Sequence, residues 1–348
     1  MAEAAAAELA EFAAAHPEIE AIDLLLPDLN GLLRGKRIRC AALEKLYRDG
    51  LALPASVFAA TITGDTVEST GLGFDEGDAD RLCRPVLGSL RPMPWQSRPL
   101  AQLLLTMHEA DGRPFFADPR QILTRVLDGF RDWRLTPVVA LELEFYLIDS
   151  ESSADGRPRP PVSPLTRIRE HQTQVYGVAE LEAFDPILED ILAAAAAQEI
   201  PADTLIAEYA PGQYEINLRH QADALRACDH AVQLRRLIKA VARRHGLAAT
   251  FMAKPYTDQT GSGMHVHVSL EDDRGLNLFA ATDPLGSPLL GQAAAGMLAV
   301  MAEGMALFAP GANAFRRFQP ETYVPLSPVW GSNNRTLALR VPSGDPSE

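Results

Sequence analysis

Cysteine is scarce in this chain of 348 residues: Cys40, Cys83 and Cys228 stand far apart and are odd in number. With no C-x-x-C pair, neither a disulfide framework nor a zinc knuckle is indicated, and a reducing compartment fits. Positive charge is outnumbered, 32 Lys plus Arg against 46 Asp plus Glu, for a net of −14. That balance argues against bulk nucleic-acid binding, which needs a concentrated basic face. The longest alanine-rich runs, such as ILAAAAAQ at 191–198, are too short to span a bilayer. The opening MAEAAAAELAEFAAAHPEIEA reads as an amphipathic helix and lacks the basic start and apolar middle of a signal peptide. The expectation is a soluble, cytoplasmic protein with no nucleic-acid or membrane partner. Also missing are a G-x-x-x-x-G-K-[ST] loop, a G-x-G-x-x-G turn after a strand, and a G-x-S-x-G elbow.

What is present is ample apolar material. Hydrophobic residues make up 47% and charged residues 22%, enough for a large core or two domains and against global disorder. After the first helix, 19–39 reads as two strands joined by a turn around Asp28-Leu29-Asn30-Gly31, and 41–49 as a short helix stopped by Gly50. Residues 61–99 read as loops and short strands completing a small α+β domain. A strand follows at 101–109 and a helix at 119–134. Beyond them come a strand at 138–149, helices at 180–198 and 222–245, strand-like IAEYAPGQYEINL, ATFMAKPY and MHVHVSL, and one helix at about 289–308. Many neighbouring strand signals among helices predict an α+β fold with a mainly antiparallel sheet.

Three strand segments place ionisable side chains on one face by their two-residue period. Glu142 and Glu144 alternate with Leu141, Leu143 and Phe145. His265, His267 and Ser269 alternate with Val266, Val268 and Leu270. Glu215 and Asn217 alternate with Ile216 and Leu218, with Glu208 across the turn Ala210-Pro211-Gly212-Gln213. Any one such segment is most often a polar face in solvent. Together, if adjacent, they would crowd four carboxylates and two imidazoles, which repel unless cations neutralise them. Oxygen-rich ligands with one or two imidazoles suit Mg²⁺ or Mn²⁺ better than Zn²⁺. Lys254, Arg316, Arg317, Arg335 and Arg340 add forked or point cations for phosphates and carboxylates, although surface pairing with acids is the ordinary fate of an arginine. The turn Gly261-Ser262-Gly263 is a weak signal for anion binding by backbone N–H groups.

The ordered series ELEFYL (142–147), EYAPGQYEINL (208–218), ATFMAKPYTDQTGSGMHVHVSL (249–270), NAFRRF (313–318) and NNRTLALRVP (333–342) resembles the glutamine synthetase superfamily. The resemblance implies a small β-grasp-like N-terminal domain at 15–100 and a catalytic domain at 105–348 with a curved, mainly antiparallel sheet and flanking helices. It implies ATP and two or more Mg²⁺ or Mn²⁺ ions as cofactors. Glu144, Glu208 and Glu215 match the carboxylates of one metal site, and Glu142 and His265 match ligands of the other. His267, Ser269, Arg335 and Arg340 match positions near ATP, and Gly261 and Arg317 match contacts to glutamate, with Arg317 and Arg335 serving catalysis. The implied chemistry activates the glutamate side chain as an acyl phosphate, which an amine then attacks. The implied assembly is a homo-oligomer, a stacked ring with active sites between subunits.

Departures from the family pattern bear on the acceptor. Six residues after Arg317, where glutamine synthetases proper carry a glutamate, stands Tyr323, and Thr260 replaces a usual asparagine. GDADRLCRP (77–85) offers Asp78 and Asp80 as acidic residues for the amine. With DLNGLLRGKRI and PMPW (92–95), these features are similar to the γ-glutamylpolyamine synthetase branch, whose acceptor is a polyamine or another primary amine. Glutamine synthetase using ammonia, and a non-catalytic relative that binds nucleotide or glutamate, are the rival expectations. The family pattern continues past the RVP segment, where this chain stops at Glu348. A natural protein of this length is expected to be weakly active or inactive, and a fragment to come from an active parent.

Overall fold

The computed structural model describes residues 2–154, 156–283 and 285–342. The last six residues of the expected catalytic domain, 343–348, lie outside them. Contacts divide the chain into two units: residues up to 129 with 193–200 and 232–234, and residues 130–192, 201–231 and 235 onward.

The first unit begins with α1 (Ala2–Ala15), followed by β1 (Ala21–Pro27), β2 (Leu33–Arg34), β3 (Arg37–Arg39), α2 (Leu43–Asp49) and β4 (Leu51–Pro54). Then come β5 (Asp80–Pro85), β6 (Arg91–Pro92), β7 (Leu100–His108) and the start of α3 (Pro119–Asp132). The main strand order is β2-β1-β7-β5-β4, with β1 and β7 parallel and the other pairs antiparallel. The two central strands carry the unbroken runs Leu24-Leu25-Leu26 and Leu103-Leu104-Leu105 because both faces are covered. Leu24, Leu26, Leu103 and Leu105 join the main core with Phe12, Leu46 and Phe115, while Leu25 and Leu104 pack on the other side with Val86. The second strand expected within 19–39 is split into β2 and β3. Gly35 lies between them at φ +150°, where an added Cβ would meet the Leu24 carbonyl oxygen at 1.9 Å, so the backbones approach too closely for any side chain.

The second unit is built on β8 (Thr136–Asp149). Around it lie α4 (Val178–Ala197), β9 (Ala202–Ala207), β10 (Gln213–Leu218), α5 (Ala224–Arg244), β11 (Leu247–Thr250) and β12 (Met264–Glu271). The five strands form one antiparallel sheet: β9 and β10 on one side of β8, and β11 and β12 sharing its other edge. Leu143, Phe145 and Ile216 point to the apolar face and are essentially fully buried, where Phe145 packs near Tyr214 and Phe251. The fold is thus α+β with mainly antiparallel sheets and flanking helices, as expected.

Past the sheet come α6 (Pro288–Ala299), α7 (Met301–Phe308), α8 (Ala312–Phe315), β13 (Trp330–Ser332) and β14 (Leu339–Val341). The single helix expected at 289–308 is therefore two, bent by 73° at their junction. Val300 leaves helical geometry there at φ −108° and ψ 7°, although apolar periodicity runs on through it. No single helix among the described residues is long and apolar enough to cross a membrane.

Candidate metal and nucleotide site

Register does most of the work of assembling the polar face. Across β8 and β10, Glu215 stands opposite Glu144 and Asn217 opposite Glu142. On the other edge of β8, His265 stands opposite Glu142 and His267 opposite Ala140. Glu208 follows β9 directly, and its N–H donates to the Gln213 carbonyl at 2.9 Å, closing the turn that returns the chain into β10. Segments far apart in sequence are thereby side by side.

Glu142 is the most heavily partnered carboxylate. His265 Nδ1 lies 2.7 Å from its Oε2. Asn217 Nδ2 donates to Oε1 at 2.9 Å, and His267 Nε2 stands 2.9 Å from the same oxygen. Burial works against its charge, but the hydrogen bonds and positive charge of His265 and His267 outweigh it and hold the carboxyl well below its ordinary range. His265 is raised in turn, chiefly by its bond to Glu142. Glu144 accepts from the Gly263 N–H at 2.9 Å and from Gln213 Nε2 at 3.2 Å.

Two carboxyls have less support. Burial first, and then the charge of Glu144, pushes Glu208 up to about 7. Burial and the charges of Glu142, Glu144 and Glu208 push Glu215 up to about 8. One ligand atom each from Glu142, Glu215 and His265 lies within 4.8 Å of the others. This donor set fits a divalent cation with hard, oxygen-preferring chemistry: carboxyls held partly protonated by burial and by one another's charge would ionise on binding it. Glu142, Glu215 and His265 could hold such an ion together, and Glu144 and Glu208 act on the same carboxylates through their charge.

A cationic group borders the carboxylates. Gly261 lies so close to Arg317 that an added Cβ would be 2.8 Å from its Cγ and Nε, and 2.6 Å from the Ala253 carbonyl oxygen. A Cβ on Gly263 would lie 3.0 Å from Glu144 Oε1 and 3.2 Å from Arg317 Nη2, which puts guanidinium, loop and carboxylate in one neighbourhood. Arg317 Nε is buried without a hydrogen-bond partner, as is the Ser262 hydroxyl, so donors are available to a ligand. Burial lowers the Arg317 pKa, opposed by Glu144. The loop is pinned from below. Gln213 Nε2 donates to the Gly261 carbonyl at 3.1 Å, Tyr146 donates to the Thr260 carbonyl at 2.5 Å, and Asn313 brackets the Lys254 backbone with two hydrogen bonds.

The remaining expected site residues are less tightly joined. Arg335 is exposed and its charge reaches Glu208, which it pulls downward. Arg340 pairs with Gly331 in the parallel β13–β14 ribbon, and Ser269 faces Val138. Among the described residues, the side chains of Arg335 and Arg340 make no hydrogen bond or ion pair. Tyr323 packs against Tyr209, ring centroids 5.8 Å apart. Asp78 and Asp80 belong to the first unit, whereas the carboxylate cluster belongs to the second. Asp78 accepts from the Ser56 N–H at 3.1 Å and hydroxyl at 2.9 Å, and Asp80 stands opposite Pro54.

Three residues of this region escaped sequence reasoning. Gln213 links Glu144, Gly261 and Thr260, yet in sequence it is one polar residue in a turn. His220 stands edge-to-face with His267 at 5.7 Å, and Tyr209 adjoins Glu208. Only adjacency to the E-x-x-x-x-x-x-E segment could have flagged them.

Residues 116–348 match the family described as "Glutamine synthetase, catalytic domain". The chain is 48% identical over 338 residues to gamma-glutamylputrescine synthetase PuuA of Escherichia coli strain K12, covering 97% of this chain and 71% of that protein. It is 30% identical over 327 residues to a glutamate–isopropylamine ligase of a Pseudomonas species, covering 92% and 70%. Among solved structures, the one titled "GmaS/ADP complex-Conformation 1" superposes with a TM-score of 0.80 at 29% identity, covering 96% of this chain and 73% of that one.

Proposed function

Because this chain belongs to the glutamine synthetase family, we propose that it is an ATP-dependent carbon–nitrogen ligase joining the side-chain carboxylate of glutamate to a primary amine, with a polyamine as the favoured acceptor. The observation that carries this reading is the convergence of Glu142, Glu144, Glu215 and His265 on one sheet face beside Arg317, with Glu208 in the adjoining turn. Similarity to ligases named for putrescine and isopropylamine supports an amine acceptor.

When bound, ATP and its Mg²⁺ or Mn²⁺ ions would supply a transferable phosphoryl group and the charge neutralisation that phosphoryl transfer needs. The chain's own residues do the rest. Strand register and the adjoining turn set the five proposed ligands in place beforehand, so little reorganisation is needed as charge develops. Arg317 and the Gly261 loop orient glutamate, with Nε and the Ser262 hydroxyl free to donate. Arg335 adds positive charge next to Glu208, and His267, Ser269 and Arg340 form the proposed nucleotide side. The amine attacks the acyl carbon, phosphate departs with the bonding pair, and the nitrogen gives up a proton to a base; Asp78 and Asp80 stay proposed as acidic residues that serve the amine. The proposed setting is the cytoplasm, and the proposed working form is a homo-oligomer.

Phosphate release from ATP, with glutamate and a panel of amines, tests the reading. Release dependent on both glutamate and a primary amine, with putrescine ahead of ammonia, is the expected result. Ammonia as the best acceptor would make the protein a glutamine synthetase, and ATP binding without turnover would make it a non-catalytic relative.

A further inference from the structure

Two large aromatic rings stand open beside the carboxylates. Tyr209 directly follows Glu208, and Tyr323 arrives from the distant segment that also carries Arg317. Their rings meet at 5.8 Å with planes inclined by 34°. Yet Tyr209 is 46% and Tyr323 60% exposed. A packing contact made for stability would bury both rings, because the gain scales with apolar area removed from water. Here the two rings meet each other and still leave aromatic surface open to solvent. The arrangement invites a ligand with both apolar and cationic character.

We propose that Tyr209 and Tyr323 form an aromatic wall that holds the alkyl chain and the distal ammonium of the acceptor amine. The inference rests on the ligase reading above and names the residues that select its acceptor. A diamine poses a particular problem: the nitrogen that attacks must be neutral, while the other keeps its proton and its charge. The distal cation therefore needs a seat of its own. The electron-rich face of a tyrosine provides one. Ammonia has neither chain nor second charge and gains nothing from the wall. Tyr209 and Tyr323 thus act as specificity determinants, touching substrate away from the reacting atoms.

The test is steady-state phosphate release with saturating ATP and glutamate and a varied amine, for the wild type and for Tyr209→Leu, Tyr323→Leu, Tyr209→Phe and Tyr323→Phe. Each leucine variant should raise KM for putrescine about tenfold, with KM for ammonium and for glutamate nearly unchanged. The phenylalanine variants should retain most of the wild-type preference. An unchanged putrescine KM in the leucine variants, or an equal rise for putrescine and ammonium, overturns the wall. A second measurement needs no variant: N,N,N-trimethylpropylammonium, which cannot attack, should inhibit the wild type competitively against putrescine, and no inhibition would count against the proposal. If the wild type turns over no amine, the ligase reading fails by itself. Calorimetric binding of putrescine then decides the wall separately: weaker binding to the leucine variants supports it, and equal or absent binding rejects it.

Discussion

Glu208 and Glu215 illustrate at the scale of single residues how a site stores unfavourable charge. Both are raised above the ordinary carboxyl value of 4.5, to about 7 and about 8, by burial and by neighbouring carboxylates. The folded, metal-free protein therefore binds more protons than the unfolded chain between those limits. Stability linked to these groups is complete below the unfolded value and is lost as pH rises through the folded values. Thermal melts in the presence of a chelator should thus fall between about pH 5 and about pH 8, and saturating Mn²⁺ should remove most of that fall. A metal-free melting temperature that rises over the same interval would contradict the assignment. Gly261 supports a second prediction: Gly261→Ala forces a Cβ against Arg317 and the Ala253 carbonyl. It should lower kcat/KM for glutamate by about a hundredfold with a smaller effect on KM for ATP, measured by the same phosphate assay.

Elements carried most of what could be read from sequence, since the period of two located the polar faces of β8, β10 and β12 before any coordinates. Alternation of Glu142 and Glu144 with Leu141 and Leu143 is local information, and the side chains duly share a face. Register between strands is not local, so the sequence alone left open whether Glu142 meets His265 or Glu144 meets Glu215. Resemblance to a family filled that gap. The misread elements also have physical causes. Gly35 breaks the second strand because of a backbone contact with Leu24, and Val300 ends α6 while its neighbours remain apolar. An element-level prediction concerns the start of α3. Asp118, 1% exposed, accepts from the Met107 N–H at 2.6 Å, the Thr106 hydroxyl at 3.0 Å and the Arg120 N–H at 2.8 Å. It ties β7 to the helix N-terminus, so Asp118→Ala should cost about 2–4 kcal/mol in chemical denaturation. A loss below about 0.5 kcal/mol would mean the bonds add little.

For the molecule as a whole, the chain divides its labour between two contact units, and every carboxylate of the cluster comes from the second. If the proposed homo-oligomer forms, sedimentation gives a species several times heavier than the 37.8 kDa chain; a monomer would contradict it. The proposed activity depends on one capacity, the holding of a divalent cation by side chains gathered from three strands and a turn. Titration of the full chain with Mn²⁺, followed by the resonance of the free ion, measures that capacity directly. The wild type should deplete the free-ion signal, and Glu215→Gln should weaken binding by about tenfold or more. Equal binding by the two proteins, or none by either, would contradict the central claim.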